Sequence, residues 1–187
     1  MQEKIQAILR ESAELKRKVA DTLTPDIARA AGQLRECLEG GGRVFLMGNG
    51  GSAADAQHIA AELIGRFKRE RGPLPALALT VDTSALTAIG NDYGFEHVFS
   101  RQIEGLAHKG DVVIAISTSG NSENVIRGVQ AAHTQGAFTL GLLGRDGGKL
   151  KDLVRLPLVV PAADTARIQE VHITIGHILC ELLETDP

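Results

Sequence analysis

The amino-acid sequence predicts a doubly wound α/β domain with a five-stranded parallel sheet, preceded by an N-terminal helical arm. From residue 43 onward, short apolar runs alternate with longer stretches of helical spacing. The apolar runs are Val44–Met47, Ala76–Val81, Val112–Ile116, Phe138–Leu143 and Leu156–Val160. Strands that are apolar on both faces and alternate with helices are typical of a parallel sheet covered by helices on both sides.

The stretches between the runs predict four helices, at about 53–68, 83–108, 122–135 and 164–184. Ligands of such folds bind beyond the carboxyl ends of the strands, so the loops at those ends are the first candidates for a site. The segment KRERGPLP, residues 68–75, is predicted to be the most exposed loop.

The arm, residues 1–41, is predicted to contain two helices. Apolar residues recur at helical spacing over residues 3–22. Thr24, Pro25 and Asp26 then provide a start signal for a second helix, with a hydroxyl cap, a first-position proline and an acid in the first turn. That helix is expected to end at the glycines of 40–42, and the arm to serve as an oligomer contact. Residues 42–187 are expected to form the α/β core of the same single domain.

Composition and charge argue against nucleic acid and membranes as partners. The 187 residues fit one domain, and a net charge of −3 with 3% aromatic residues offers neither a basic field nor a stacking platform for nucleic acid. No apolar run approaches the roughly 18 residues that span a bilayer, and the N-terminus lacks the apolar region of a signal peptide. Cys37 and Cys180 have no metal-type spacing, so we expect free thiols in a cytoplasmic protein.

Two loops rich in small residues follow the first and third predicted strands. The first reads GNGGSAADAQH, residues 48–58, and the second reads STSGNSEN, residues 117–124. Each loop opens a helix, so backbone N–H groups and the positive end of the helix dipole converge there. Neutral hydroxyl donors are added by Ser52, Ser117, Ser119 and Ser122. Together the two loops predict a site for a phosphate group.

Either loop alone has an equally good structural explanation. The glycines of the first could form a tight turn, and Ser122 could cap a helix. Their occurrence at equivalent strand ends favours the ligand site. The first loop lacks the third glycine of a dinucleotide-binding fingerprint, and no lysine follows its glycines as in a Walker loop.

Candidates for chemistry lie on the two helices that border these loops. His58 and Glu62 are four residues apart and project from one helix face. The last helix carries polar residues in an otherwise apolar stripe, where they need partners: Gln169, Glu170, His172 and His177. His177 could be a hydrogen-bonded core histidine, and Glu62 a solvated residue beside Arg66. Their combination with a phosphate pocket favours a functional interpretation.

Four separated motifs resemble those of a known family, the phosphoheptose isomerases of the sugar isomerase (SIS) proteins. The motifs are GNGGSAADAQH with Glu62, GNDYGF at 90–95, ISTSGNSENV at 116–125 and RIQEVHITIGHIL at 167–179. The resemblance covers nearly the whole chain. It implies a flavodoxin-like fold and conversion of sedoheptulose 7-phosphate to D-glycero-D-manno-heptose 7-phosphate, the first committed step towards the heptose of lipopolysaccharide. It also implies a homotetramer, sites at subunit interfaces and often one zinc ion per site.

The resemblance assigns site residues by position. It implies substrate binding by Asn49, Gly50, Gly51, Asn91, Asp92, Ser117, Thr118, Ser119 and Ser122. We add Ser52 to the substrate-binding set for its hydroxyl. His58, Glu62, Gln169 and His177 match residues that bind zinc and surround the reacting carbons, so Glu62 and Gln169 are expected to contact substrate as well. Ala166 stands where some relatives have an acid, so no acid role is assigned there.

A ketose–aldose interconversion moves a proton between neighbouring carbons through an enediol. Two groups can share this work, each contributing about 10²–10⁴-fold. We predict that Glu62 moves the carbon-bound proton and that His177 relays a proton between the oxygens. A zinc ion would polarise those oxygens, but a zinc-bound carboxylate is a poorer base. Either Glu62 leaves the metal during turnover or the metal is largely structural.

Helix geometry adds an expectation about assembly. Gln169 and His177 are eight residues apart, which is about 12 Å along a helix and about 80° around it. Coordination of one metal ion by both side chains of the same helix would be strained. We therefore predict that two protomers contribute residues to each site.

Two other functions fit parts of the sequence. A non-catalytic SIS adaptor that binds a replication initiator shares features with MQEKIQA at the N-terminus and ALTAI at 85–89. The pair Glu62 and His177 favours the isomerase, because an adaptor has no evident need for it. A different phosphosugar isomerase or a sugar-phosphate sensor usually has additional domains.

Overall fold

A five-stranded, all-parallel sheet forms the middle layer of the protein in a computed structural model, which describes residues 1–184. Its strands are β1 (Val44–Gly48), β2 (Ala76–Ala78), β3 (Val112–Ser117), β4 (Phe138–Gly144) and β5 (Leu156–Val160). Their spatial order is β2-β1-β3-β4-β5. From β1 the chain adds β2 on one side, and it then adds β3, β4 and β5 on the other side. The strand order therefore changes direction between the neighbouring parallel strands β1 and β3, and the loops that follow these two strands meet at one edge of the sheet. The predicted fold class is confirmed.

Helices cover both faces of the sheet. They are α1 (Gln2–Glu39), α2 (Gly51–Ile64), α3 (Thr83–Tyr93), α4 (Ser100–Leu106), α5 (Glu123–Thr134), α6 (Gly148–Leu153) and α7 (Thr165–Leu183), with a 3₁₀ turn at Phe95–His97. Successive strand residues point to opposite faces. Leu46 and Ile114 pack with α1, α2 and α7, whereas Phe45 and Val113 pack with α4, α5 and α6.

The prediction of two N-terminal helices is wrong, because α1 runs unbroken through Pro25. The Thr24 hydroxyl donates to the carbonyl oxygen of Ala20 at 2.6 Å and does not cap a new helix. Val19 and Ile27, on either side of the proline, are both buried at 6% exposure in one core cluster. Burial of two such side chains, at about 1.5–3 kcal/mol each, balances the roughly 3 kcal/mol cost of an internal proline. Only the first half of the predicted arm therefore projects from the core.

Smaller differences have local causes. Strand β2 ends at Ala78, because Asp82 caps α3 by accepting from the backbone N–H of Ala85 at 2.9 Å. The helix predicted over 83–108 is divided at Gly94, whose φ of +92° is incompatible with a helix. Helix α6 was not predicted, and α2 ends at Ile64, short of the expected residue 68. The last three residues of the predicted domain lie outside the described residues. Within residues 1–184, no helix has the length and apolar character needed to cross a membrane.

Candidate active site

The two small-residue loops lie side by side and are joined by a pair of amides. Gly48 at the end of β1 is in register with Ile116 of β3, so both loops leave the sheet together. The side chains of Asn49 and Asn124 exchange two hydrogen bonds of 2.8 Å each. Asn124 is buried, and sequence reasoning missed it, although it stands inside the STSGNSEN motif. The amide pair fixes the relative position of the loops.

The loop after β3 is held in shape by its own hydroxyls. Ser117 and Ser122 pair through their hydroxyl oxygens at 3.1 Å, and the backbone N–H of Gly120 donates to the Ser117 hydroxyl at 3.1 Å. The Ser119 hydroxyl accepts from the backbone N–H of Asn121 at 3.2 Å. Ser122 precedes α5 without capping it through its side chain, so the simple N-cap explanation is wrong. Thr118 and Ser119 are half-buried at the rim.

The loop after β1 turns sharply into α2 and lies against α7. Gly50 has a φ of +54° and precedes the first turn of the helix, in which Ser52 is buried. A Cβ atom on Gly51 would lie 2.5 Å from the amide nitrogen of Gln169. Glycine at this position therefore lets the Gln169 amide pack directly against the start of α2, beside the predicted phosphate loops.

Asn91 and Asp92 hydrogen-bond to each other at the end of α3. Both residues are exposed near the end of α3, and the Asn91 amide donates to the Asp92 carboxylate at 2.8 Å. In the part of the chain that the structure describes, no hydrogen bond links them to the loop residues. Their substrate-binding role stays a prediction.

His58 and Glu62 of α2 converge with His177 of α7. The Nε2 atom of His58 lies 3.2 Å from Oε1 of Glu62 and 3.3 Å from Nε2 of His177. One ligand atom from each residue can be chosen so that all lie within 4.8 Å of one another. The cluster is open to solvent, with 47% of the His58 side chain and 25% of the Glu62 side chain exposed. His177 thus faces another histidine and is not a core histidine, and Arg66 pairs with Glu70 and not with Glu62.

A close approach of two helices brings these residues together. A Cβ atom on Gly176 would lie 2.6 Å from Cδ1 of Ile59, which is itself buried. Gly176 immediately precedes His177, and Ile59 immediately follows His58. The absence of a side chain at Gly176 therefore sets the separation of the two imidazoles.

Two polar residues lie near the cluster in sequence: His172, which is buried, and Asp55, which is half-buried. The ring N–H of His172 donates to the Leu143 carbonyl at 3.0 Å, and burial, opposed by this bond, lowers its pKa to about 4. His172 is a neutral core histidine.

Asp55 lies one turn before His58, and its buried Oδ2 has no hydrogen-bond partner. Burial raises the pKa of Asp55, and nearby His58 opposes that shift. Sequence reasoning missed Asp55, because a carboxylate on a helix usually lies in solvent.

The donor set fits a zinc ion. Two imidazoles and a carboxylate form the protein ligand set of one class of catalytic zinc site. His58, Glu62 and His177 meet within one chain, so a second protomer is not needed to bring them together. Gln169 lies beside Gly51, two turns before His177, and its role as a fourth ligand stays a prediction.

Comparison with known proteins identifies the family. A model of the SIS domain matches residues 8–144. A phosphoheptose isomerase from Aquifex aeolicus is 58% identical over 184 residues, which is 98% of this chain and 96% of the relative. The chain belongs to the phosphoheptose isomerases of the SIS family. Solved structures of phosphoheptose isomerases agree, each covering 98% of both chains. The one from Neisseria gonorrhoeae is 48% identical with a TM-score of 0.93. The one from Francisella tularensis is 40% identical with a TM-score of 0.95.

Proposed function

We propose that the protein is an aldose–ketose isomerase that converts sedoheptulose 7-phosphate to D-glycero-D-manno-heptose 7-phosphate. The observation that carries the proposal is the meeting of Glu62 and His177 in a chain that also joins its two small-residue loops side by side. The names of its relatives support the same activity and favour it over the adaptor. The product is proposed to feed heptose synthesis for lipopolysaccharide, in the cytoplasm.

The two loops supply the anchor for the phosphate. Ser117, Ser119 and Ser122 offer hydroxyls, and the first turn of α5 adds backbone N–H groups and its dipole. Asn49, Gly50 and Gly51 line the other side, where the glycines allow a ligand to approach the backbone. A neutral, donor-rich pocket suits a doubly negative ester, because the charge arrives with the ligand.

Glu62 and His177 divide the proton transfers. The Glu62 carboxylate takes the proton from one carbon and returns it to its neighbour. The His177 imidazole moves a proton between the two oxygens of the enediol. General acid–base groups of this kind each contribute about 10²–10⁴-fold. We expect the Gln169 amide, which lies beside the start of α2, to orient the sugar hydroxyls.

A zinc ion is the cofactor that we propose, held by His58, Glu62 and His177 of one chain, with Gln169 of a neighbouring subunit as a fourth ligand. When bound, it would act as a Lewis acid on the sugar oxygens. Metal analysis of the purified protein should find about one zinc per chain. His58→Ala should weaken zinc binding at least about tenfold, whereas His108→Ala, at an exposed histidine away from the cluster, should leave it unchanged. Equal zinc content in both variants would exclude His58 as a ligand.

We propose that the active form is a homotetramer with sites at subunit interfaces. The first turns of α1 expose Ile5 (51%), Ile8 (41%) and Leu9 (63%), an apolar surface suited to a second copy. Asn91 and Asp92 are exposed, so their side chains are available to the site of a neighbouring subunit. Leu9→Asp should dissociate the assembly, detected by light scattering, and reduce activity with it.

The direct test is to incubate the purified protein with sedoheptulose 7-phosphate and follow the aldose by NMR. Conversion that requires Glu62 supports the isomerase. A protein that is inert with and without zinc, and that binds a replication initiator, would support the adaptor.

A further inference from the structure

The segment that follows α2 is fastened to the end of α7 by a buried carboxylate. The backbone N–H groups of Phe67, Lys68 and Arg69 donate to Glu184 at 2.8, 2.7 and 2.9 Å. Nε of Arg71 lies 3.1 Å from the same carboxylate, and only 2% of the Glu184 side chain is exposed. The sequence predicted residues 68–75 as the most exposed loop, but at its start the backbone is tightly held.

Arg71 connects this segment to the helix that carries the cluster. Its guanidinium donates to the carbonyl oxygens of Glu62 and Leu63 at 2.9 and 2.8 Å. These carbonyls lie in the last turn of α2, where no further helical N–H is available to them. Glu184 and Arg71 together therefore hold the segment 65–71 against both α2 and α7.

Phe67, the first residue held by Glu184, lies against the imidazole of His177. The two ring centroids are 5.3 Å apart and the rings are inclined by only 25°. His58 meets the same imidazole edge-on, with centroids 4.9 Å apart and planes at 69°. The His177 ring thus contacts both Phe67 and His58. Since the terminal torsion of a histidine has broad minima, such neighbours decide where Nε2 points.

We propose that Glu184 is a positioning residue for the active site. By fixing the backbone at 67–69, it holds the face of Phe67 on His177 and so directs the His177 Nε2 towards His58 and Glu62. The catalytic consequence rests on the proposed isomerase function, whereas the effect on the imidazole does not. Partners that orient metal-binding or catalytic histidines typically change affinity or activity by about 10–100-fold.

The test compares Glu184→Gln with Glu181→Gln in the full-length protein, with NMR spectra recorded on metal-free samples and kinetics on the protein as purified. Glu181 lies one turn earlier on α7 and pairs with Lys68 of the same segment at 2.8 Å, yet it is 49% exposed. Both substitutions remove one negative charge, but only Glu184→Gln loosens the backbone of Phe67. The ring signal of His177 is recorded by NMR with ¹³C-labelled histidine and is assigned by its loss in His177→Ala. Phe67→Leu gives the reference signal for an imidazole without its stacked ring.

In Glu184→Gln, the His177 signal should shift towards its position in Phe67→Leu, and kcat should fall about 10–100-fold with KM little changed. Glu181→Gln should resemble wild type, and Phe67→Tyr should retain the wild-type signal and rate. The proposal is overturned if Glu184→Gln matches Glu181→Gln in both readouts.

Phe67→Leu and Phe67→Tyr leave the backbone contacts of Glu184 intact. If Glu184→Gln does not fold, these two variants still test whether the Phe67 ring orients His177. A Phe67→Leu protein with a wild-type His177 signal and kcat would overturn the proposal. If wild type leaves sedoheptulose 7-phosphate unchanged but the His177 signal still depends on Glu184, the isomerase function fails and the positioning role stands.

Discussion

Asn49 and Asn124 join two loops that are 75 residues apart in sequence by exchanging hydrogen bonds of 2.8 Å in both directions. Asn124 also accepts from the backbone N–H of Val125 at 3.0 Å, so its amide is fixed at the start of α5. The amide pair thereby joins the ends of β1 and β3 into one surface, which we propose as the phosphate site.

Asn124→Ala should weaken substrate binding more than it slows chemistry. It leaves the half-buried Asn49 amide without its partner, and an unpaired polar group of this kind costs about 1–3 kcal/mol. The free protein can relieve this cost by letting the loops move apart, and binding must then bring them back together. At 1.4 kcal/mol per factor of ten, KM for sedoheptulose 7-phosphate should rise about tenfold. Steady-state kinetics measure this, with Gln130→Ala on the exposed side of α5 as the control. An unchanged KM would show that the amide pair has no part in binding.

Glu62→Gln and His177→Ala should each abolish isomerase activity without dissociating the oligomer. Each takes away one group that moves a proton, at a cost of at least about 10²-fold in kcat. Glu104→Gln, at an exposed glutamate on α4, is the matched control and should remain active. Size-exclusion chromatography should give the same oligomer for all variants. Full activity in either site variant would contradict the assigned roles.

Gly176→Ala should destabilise the protein and slow the reaction together. A methyl group there would lie 2.6 Å from Cδ1 of Ile59, so α7 must shift away from α2 and carry His177 with it. Overpacking of this kind costs about 1–3 kcal/mol, which exceeds the roughly 1 kcal/mol that alanine gains in a helix. Urea unfolding measures the change. Gly105→Ala in α4, where nothing lies within 4 Å of the added methyl, should be neutral or stabilising.

Glu184 should make stability depend on acid pH. Burial raises the pKa of its carboxyl, but the N–H groups of Arg69, Phe67 and Lys68 and the Arg71 charge outweigh burial and lower it from 4.5 to about 2. A lowered pKa stabilises the fold above the unfolded value of 4.5, and this contribution is lost as the pH falls towards 2. The difference in unfolding free energy between wild type and Glu184→Gln should therefore shrink between pH 5 and about pH 3. A difference that stays constant would contradict the low pKa.

The sheet and its order of elements were predictable because buried parallel strands are continuous apolar runs with clear boundaries. The pairing of His58 with Glu62 followed from helical spacing, and the neighbouring loops followed from the rule for strand ends. The helix break expected at Pro25 was wrong. The burial of Val19 and Ile27 in one core cluster outweighs the local signal for a new helix at Thr24, Pro25 and Asp26. The local sequence pattern does not show that the burial energy of these side chains offsets the cost of a proline inside the helix.

The partners of the site residues were also beyond the reach of sequence. Asn124 appears as an ordinary helix-start residue until the neighbouring loop is placed beside it. Glu184 lies near the end of the chain and appears to be a solvated residue, yet it is buried against a segment 115–117 residues away. Contacts of this range depend on how α2 and α7 pack, which spacing within either helix does not specify.

The most direct test is a crystal structure of the protein soaked with sedoheptulose 7-phosphate. The phosphate is expected on the hydroxyls of Ser117, Ser119 and Ser122, with the carbonyl end of the sugar between Glu62 and His177. A phosphate bound elsewhere, or a sugar whose carbonyl carbon lies outside hydrogen-bonding reach of both side chains, would contradict the account.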